Sequence, residues 1–179
     1  YNKEMRPTID TQIAAHKVVN LFDENKRNVG RDFFDTINVK PFVCIRVKLN
    51  QRGLPIEQIA YDYENKLVVS PYNSGAAKMQ CQYDSQDRVT YFCYTDINGE
   101  KMNSSDGVSE VYFSYEDDMQ ETVFLDNEEN IVNNNSLPEP YAYSISYMTE
   151  TSQRLYDKTV RISYDNNIET IRDAYCYDL

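Results

Sequence analysis

Apolar and polar residues alternate in several short stretches of the chain. Met79, Cys81 and Tyr83 are separated by Gln80 and Gln82, and Val111, Phe113 and Tyr115 by Tyr112 and Ser114. Tyr143, Ile145 and Tyr147 alternate with Ser144 and Ser146, and Val160, Ile162 and Tyr164 with Arg161 and Ser163. A period of two sends successive side chains to opposite faces and predicts half-buried β-strands. Most of these stretches end on a bulky residue followed by an acidic or amide one, as in Phe22-Asp23, Leu49-Asn50, Tyr83-Asp84, Tyr115-Glu116 and Tyr164-Asp165, with Tyr147-Met148 in the same place. A turn follows, clearest at Asn50-Gln51-Arg52-Gly53, where glycine supplies φ > 0. The second strand then runs, for example, from Ile56 to Tyr61, Val89 to Tyr94 or Thr122 to Leu125. It closes on another acidic turn, at Asp35, Asp62, Asp96, Asp126, Asp157 or Asp178.

The first anchors fall at positions 22, 49, 83, 115, 147 and 164, so the middle steps are 34, 32 and 32 and the outer ones 27 and 17. Internal repetition of this kind predicts a repeat architecture. The expected fold is all-β: an antiparallel meander of about six tandem β-hairpin repeats of roughly 32 residues, the sheet open or partly wrapped. A lone hairpin cannot bury its apolar face, so each repeat depends on its neighbours. Residues 15–179 are assigned to the array. Residues 1–14 read either as the end of a preceding unit or as a short helix, since Ile9, Ile13, Ala14, Val18 and Leu21 fit one helical face while strand is favoured after about His16. The chain opens on Tyr1 and closes just after an anchor, so a longer array is expected to continue beyond both ends.

Second strands carry aromatic rings on both faces. Val89, Tyr91 and Cys93 point one way and Thr90, Phe92 and Tyr94 the other, while Phe124 faces away from Val123 and Leu125. If the anchor side forms the core, Phe92, Tyr94 and Phe124 make an aromatic stripe on the opposite face. With Tyr112 they are the candidate binding residues, because exposed aromatic stripes mark contact sites. If the sheet is covered on both sides, the same rings form a second core.

Tyr83-Asp84 and Thr95-Asp96-Ile97-Asn98-Gly99, with their copies, resemble the tandem tyrosine-aspartate-type β-hairpin repeats of large bacterial proteins. The chain keeps only Gly53 and Gly99 of the turn glycines of that pattern. The resemblance implies a bacterial binding or scaffold module without catalysis.

Charge narrows the partner. Against 29 acidic residues stand 18 basic ones, a formal charge of −11, and the pI is near 4.5. Nucleic acid is therefore not expected, since phosphate binding needs a basic footprint. No apolar run approaches the ~20 residues that span a bilayer, so membrane insertion is not expected. The expected partner is a protein, by preference a basic one, or another domain of the same chain. The alternative is a glycan stacked on rows of tyrosine, of which the chain has 16.

Catalytic chemistry is not expected. His16 is the only histidine and has no Ser or Cys motif beside it. The recurring aspartates are explained by turn capping, and Asp96 to Glu100 lacks the spacing of a calcium loop. The chain is read as a non-enzyme that needs neither metal nor cofactor. Cys44, Cys81, Cys93 and Cys176 form no C-x-x-C pair, and Cys81 and Cys93 are expected as reduced thiols packed in the core.

Overall fold

A computed structural model of the chain describes residues 15, 17–35, 40–116, 119–135, 143–147, 158–165 and 168–176, with side-chain surroundings as far as Ile145. His16, residues 1–14 and the Tyr156-Asp157 anchor lie outside the described residues.

The turns show how the sequence closes each hairpin. Asp23, Asn50, Asp62, Asp84, Asp96 and Asp126 begin six turns with one hydrogen-bond scheme. In each, the first residue's side-chain Oδ1 accepts the N–H of the residue two on, at 2.7–2.9 Å, and of the residue four on, at 2.9–3.0 Å. Its backbone N–H donates to the carbonyl four on, and its carbonyl accepts from the N–H three on. A short oxygen-bearing side chain at the first position thus satisfies the turn's amides, which is why Asp or Asn recurs there.

The fourth turn residue is left-handed in every copy. It is Gly53 and Gly99 in two of them, but Lys26, Asn65, Asp87 and Glu129 in the others, at φ of 61° to 67°. The sparse turn glycines therefore do not remove the turn; the side-chain bonds of the first residue hold it. A side chain in this region costs more than glycine does. Lys26 is exposed, so Lys26→Gly is expected to raise stability by about 0.5–1 kcal/mol. The reverse change Gly99→Ala, where nothing lies within 4 Å of the new Cβ, is expected to lower it by a similar amount. Denaturant midpoints at unchanged slope test both.

The described residues form eleven strands: β1 Lys17–Phe22, β2 Asn28–Phe34, β3 Val43–Leu49, β4 Pro55–Tyr61, β5 Lys78–Tyr83, β6 Val89–Thr95, β7 Glu110–Glu116, β8 Met119–Leu125, β9 Tyr143–Tyr147, β10 Lys158–Asp165 and β11 Ile168–Cys176. They pair in sequence order as one antiparallel, open meander. The fold is all-β, as the alternation predicted. At the far end β9 pairs with β10, which also pairs with β11, and the predicted second strand that closes at Tyr156-Asp157 lies outside the described residues.

Connections between hairpins repeat as well. After the turns at Asp62, Asp96 and Asp126 the chain doubles back, and Val68, Met102 and Val132 donate to the carbonyls of Ala60, Tyr94 and Phe124. Ala77 and Ser109 occupy equivalent places in successive copies. Each accepts from a second strand (Ala60 N–H to Ala77, Tyr94 N–H to Ser109) and donates to a later carbonyl (Thr95 and Leu125).

Two contact units result, Tyr1–Gln80 with Thr95–Glu100, and Cys81–Tyr94 with Lys101–Leu179. In the first, Ala15, Phe33, Ile45 and Ala60 form the core, with Val18, Phe42, Val43, Val68 and Tyr72 packed on it. Register explains the grouping, since Ile45 partners both Arg31 and Ala60, and Phe33 partners Val43 and Val18. The opposite face carries ion pairs across strands, Asp32–Arg46 at 2.6 Å and Lys48–Glu57 at 3.2 Å. In the second unit the core is Val108, Val111 and Phe124, with Phe92, Phe113 and Val132 against it. Cys44 and Cys93 are buried and Cys81 is half-buried, none of the three in a disulfide.

Candidate functional site

The second unit's other face is built from tyrosine and glutamate. β6 and β7 pair Tyr91 with Tyr112, and β7 and β8 pair Tyr112 with Val123 and Ser114 with Glu121. Glu121 in turn partners Ile145 of β9. Residues on this face alternate with those of the Val111–Phe124 core. The rings of Tyr91 and Tyr112 lie 4.9 Å apart. Tyr143 donates its hydroxyl to Glu121 Oε1 at 2.8 Å, and Ser114 donates to Oε2 at 2.9 Å.

Glu110 is the most enclosed member, with its side chain 1% exposed. It accepts from the Tyr91 hydroxyl, from the Tyr112 hydroxyl at 3.4 Å and from Lys101 Nζ at 2.8 Å. Lys101 also reaches Glu129 at 2.8 Å. Burial pushes the Glu110 carboxyl up, but the bonds from Lys101 and Tyr91 outweigh it and hold the group below the usual range. The bonds to Glu110 and Glu129 raise the Lys101 ammonium. Burial, then donation to Glu110, raises the Tyr91 phenol. The cluster is therefore a carboxylate–ammonium pair with neutral phenols as donors, a positioned polar network.

The four candidate residues separate. Tyr94 and Phe124 are buried, and Phe92 is half-buried against the Val111–Phe124 core, with its ring 5.6 Å from Tyr94 and 6.1 Å from Phe113. These three do not form the exposed stripe that the anchor-side core would have left. The register pairs Phe92 and Phe124 with Val111, on the anchor side of β7, so these rings belong to the anchor-side core itself and not to a second core on the opposite face. Tyr112 alone of the four presents its ring at the surface, 44% exposed.

Glu110, Lys101, Tyr91, Glu121 and Tyr143 were not singled out from the sequence. A signal for two of them lies in the repeat. Aligned on the turns, Lys101 stands where other copies have Leu67 and Ile131, so a charge replaces an apolar residue. Glu110 stands in the place of Lys78, each following a bridging small residue.

The first unit holds a groove of about 310 Å³. Its apolar lining is Phe33, Ile45, Val47, Leu49 and Tyr72, and its charged lining is Arg27 and Arg31. Tyr72 stacks on Phe33 with centroids 4.2 Å apart. It is placed there by a 3-10 turn, Pro71–Asn73, whose N-cap Ser70 accepts the Tyr72 N–H.

The turn carboxylates are committed to their own loops. Hydrogen bonds from Arg27 hold Asp23 below the usual carboxylate range. At Asp84, Asp96 and Asp126 partial burial pulls upward, but the turn amides win and the groups are lowered. No cluster of three or more metal-ligating side chains occurs among the described residues. The fold and this face define an all-β hairpin-repeat protein with a tyrosine–glutamate surface. No protein-family model matches the chain, and no curated protein matches it either.

Proposed function

We propose that the chain is a non-enzymatic interaction module of the tyrosine-aspartate hairpin-repeat type, and that the tyrosine–glutamate face of the second unit contacts a basic protein partner. The observation that carries this reading is the exposed ring of Tyr112 amid Glu110, Glu121 and Glu129, three carboxylates against the single ammonium of Lys101. An amphipathic ring beside excess negative charge suits a lysine- or arginine-bearing surface, through ring contact and charge complementarity. The net charge of −11 favours the same sign of partner.

Titration with a lysine-rich peptide, followed by calorimetry at two salt concentrations, tests it. Binding is expected to weaken with salt and to fall about tenfold, or 1.4 kcal/mol, in Tyr112→Ser, with thermal stability nearly unchanged. Peptide binding indifferent to Tyr112→Ser would overturn the assignment of this face. Tyr112-dependent binding on a glycan array, with no peptide binding, would replace it by the glycan reading.

A further inference from the structure

The groove of the first unit differs in chemistry from the rest of this acidic chain. Its lining includes two arginines, Arg27 and Arg31, and no acidic residue. Arg27 is already paired, with Nε and Nη2 on Asp23 at 2.7 and 2.6 Å. Its Nη1 lies against Gly53, where a Cβ would come within 2.8 Å. Gly53, at φ 85°, has no side chain to set against that edge of the guanidinium. Arg31 is exposed and has no ion-pair partner among the described residues. One positive charge is therefore uncompensated, beside further N–H donors. The remaining lining is apolar and aromatic, with Tyr72 fixed by its stack on Phe33.

From this the geometry points to a binding site for a small monocarboxylate with an apolar or aromatic body. One carboxylate matches the single uncompensated guanidinium of Arg31, and planar Arg–carboxylate pairing supplies directional hydrogen bonds. The body lies along Ile45, Val47, Leu49 and the Tyr72 ring. The volume is at the lower end of small-molecule pockets, about 300–1,000 Å³, so it fits one ring or branched chain and a short acid arm. This site is independent of the tyrosine–glutamate face and of its proposed partner.

The test is amide-resolved NMR titration of the full chain with 3-phenylpropionate and with its neutral analogue 3-phenylpropan-1-ol. Saturable shifts in β2, β3, β4 and around Tyr72 are expected, with the acid binding about tenfold more tightly than the alcohol. In Arg31→Gln, an exposed change, the acid is expected to lose that advantage while the alcohol binds as before; an unchanged amide spectrum elsewhere shows that the variant is folded. Equal binding of acid and alcohol by the parent chain would overturn the carboxylate assignment. Absence of saturable shifts would overturn the site. So would shifts that arise on concentrating the chain alone, since a second copy would then be the occupant. Binding of a peptide with a free C-terminal phenylalanine, but not of the small acid, would assign the groove to a protein terminus instead.

Discussion

Phe124→Ala is expected to destabilise the second unit by about 3–5 kcal/mol, because a buried phenylalanine loses its transfer energy and leaves a cavity. Phe124 is 6% exposed and lies in one cluster with Val108 and Val111, against Phe92, Phe113 and Val132. The register also leaves no easy collapse, since Val111 is paired between Phe92 and Phe124 in adjacent strands. The double change of Phe92 and Tyr94 to serine is expected to cost several kcal/mol for the same reason. Urea denaturation followed by circular dichroism measures both. A midpoint within error of the parent protein would mean that these rings face solvent and that the second unit packs on its other side.

Glu110→Ala is expected to cost about 3 kcal/mol, the lower end of the range for breaking a buried pair. The lower end applies because Lys101 is 40% exposed and keeps Glu129 at 2.8 Å, so its ammonium is not stranded. What is lost is the shared acceptor of two tyrosine hydroxyls and one ammonium. Glu110→Gln keeps an oxygen for Tyr91 and is expected to cost about half as much.

Acid distinguishes the charge from the hydrogen bonds. The folded carboxyl is held below its ordinary value of 4.5, so its contribution is complete above that value and disappears as pH falls through the lowered one. The stability gap between the parent chain and Glu110→Gln is thus expected to be flat from neutrality down to about pH 5 and to shrink below pH 4.5. The four lowered turn aspartates steepen the parent's own acid loss over the range below 3.8. A gap that stays constant through this range would show that Glu110 contributes by shape and not by charge.

Much of the fold was legible because its determinants are local. Asp84 closes its turn with residues no further away than Arg88, and Tyr115 shares a face with Phe113 and Val111 whatever their neighbours are. The same locality misled at the candidate stripe. Within the hairpin alone, Phe92 and Tyr94 point away from the side of Tyr91 and Cys93, and nothing there says which side is covered. The groove was not legible at all. Arg27 and Arg31 belong to the first hairpin and Tyr72 to the connection after the second, and no spacing rule brings them together.

The amino-acid sequence by itself determined the strands, their order and the turn type, since period-two alternation and side-chain-to-amide bonds act within a few residues. The tertiary structure decided which face of each strand is buried, because that depends on register between hairpins. Partnering Phe92 with Val111 and Tyr91 with Tyr112 sends one set of rings into the core and leaves the other beside Glu110. A shift of one residue would exchange the two sets. Register is selected by the free energy of the whole packed face, through Val111, Phe124 and the doubled-back segment at Val132, and that quantity exists only once the strands are assembled.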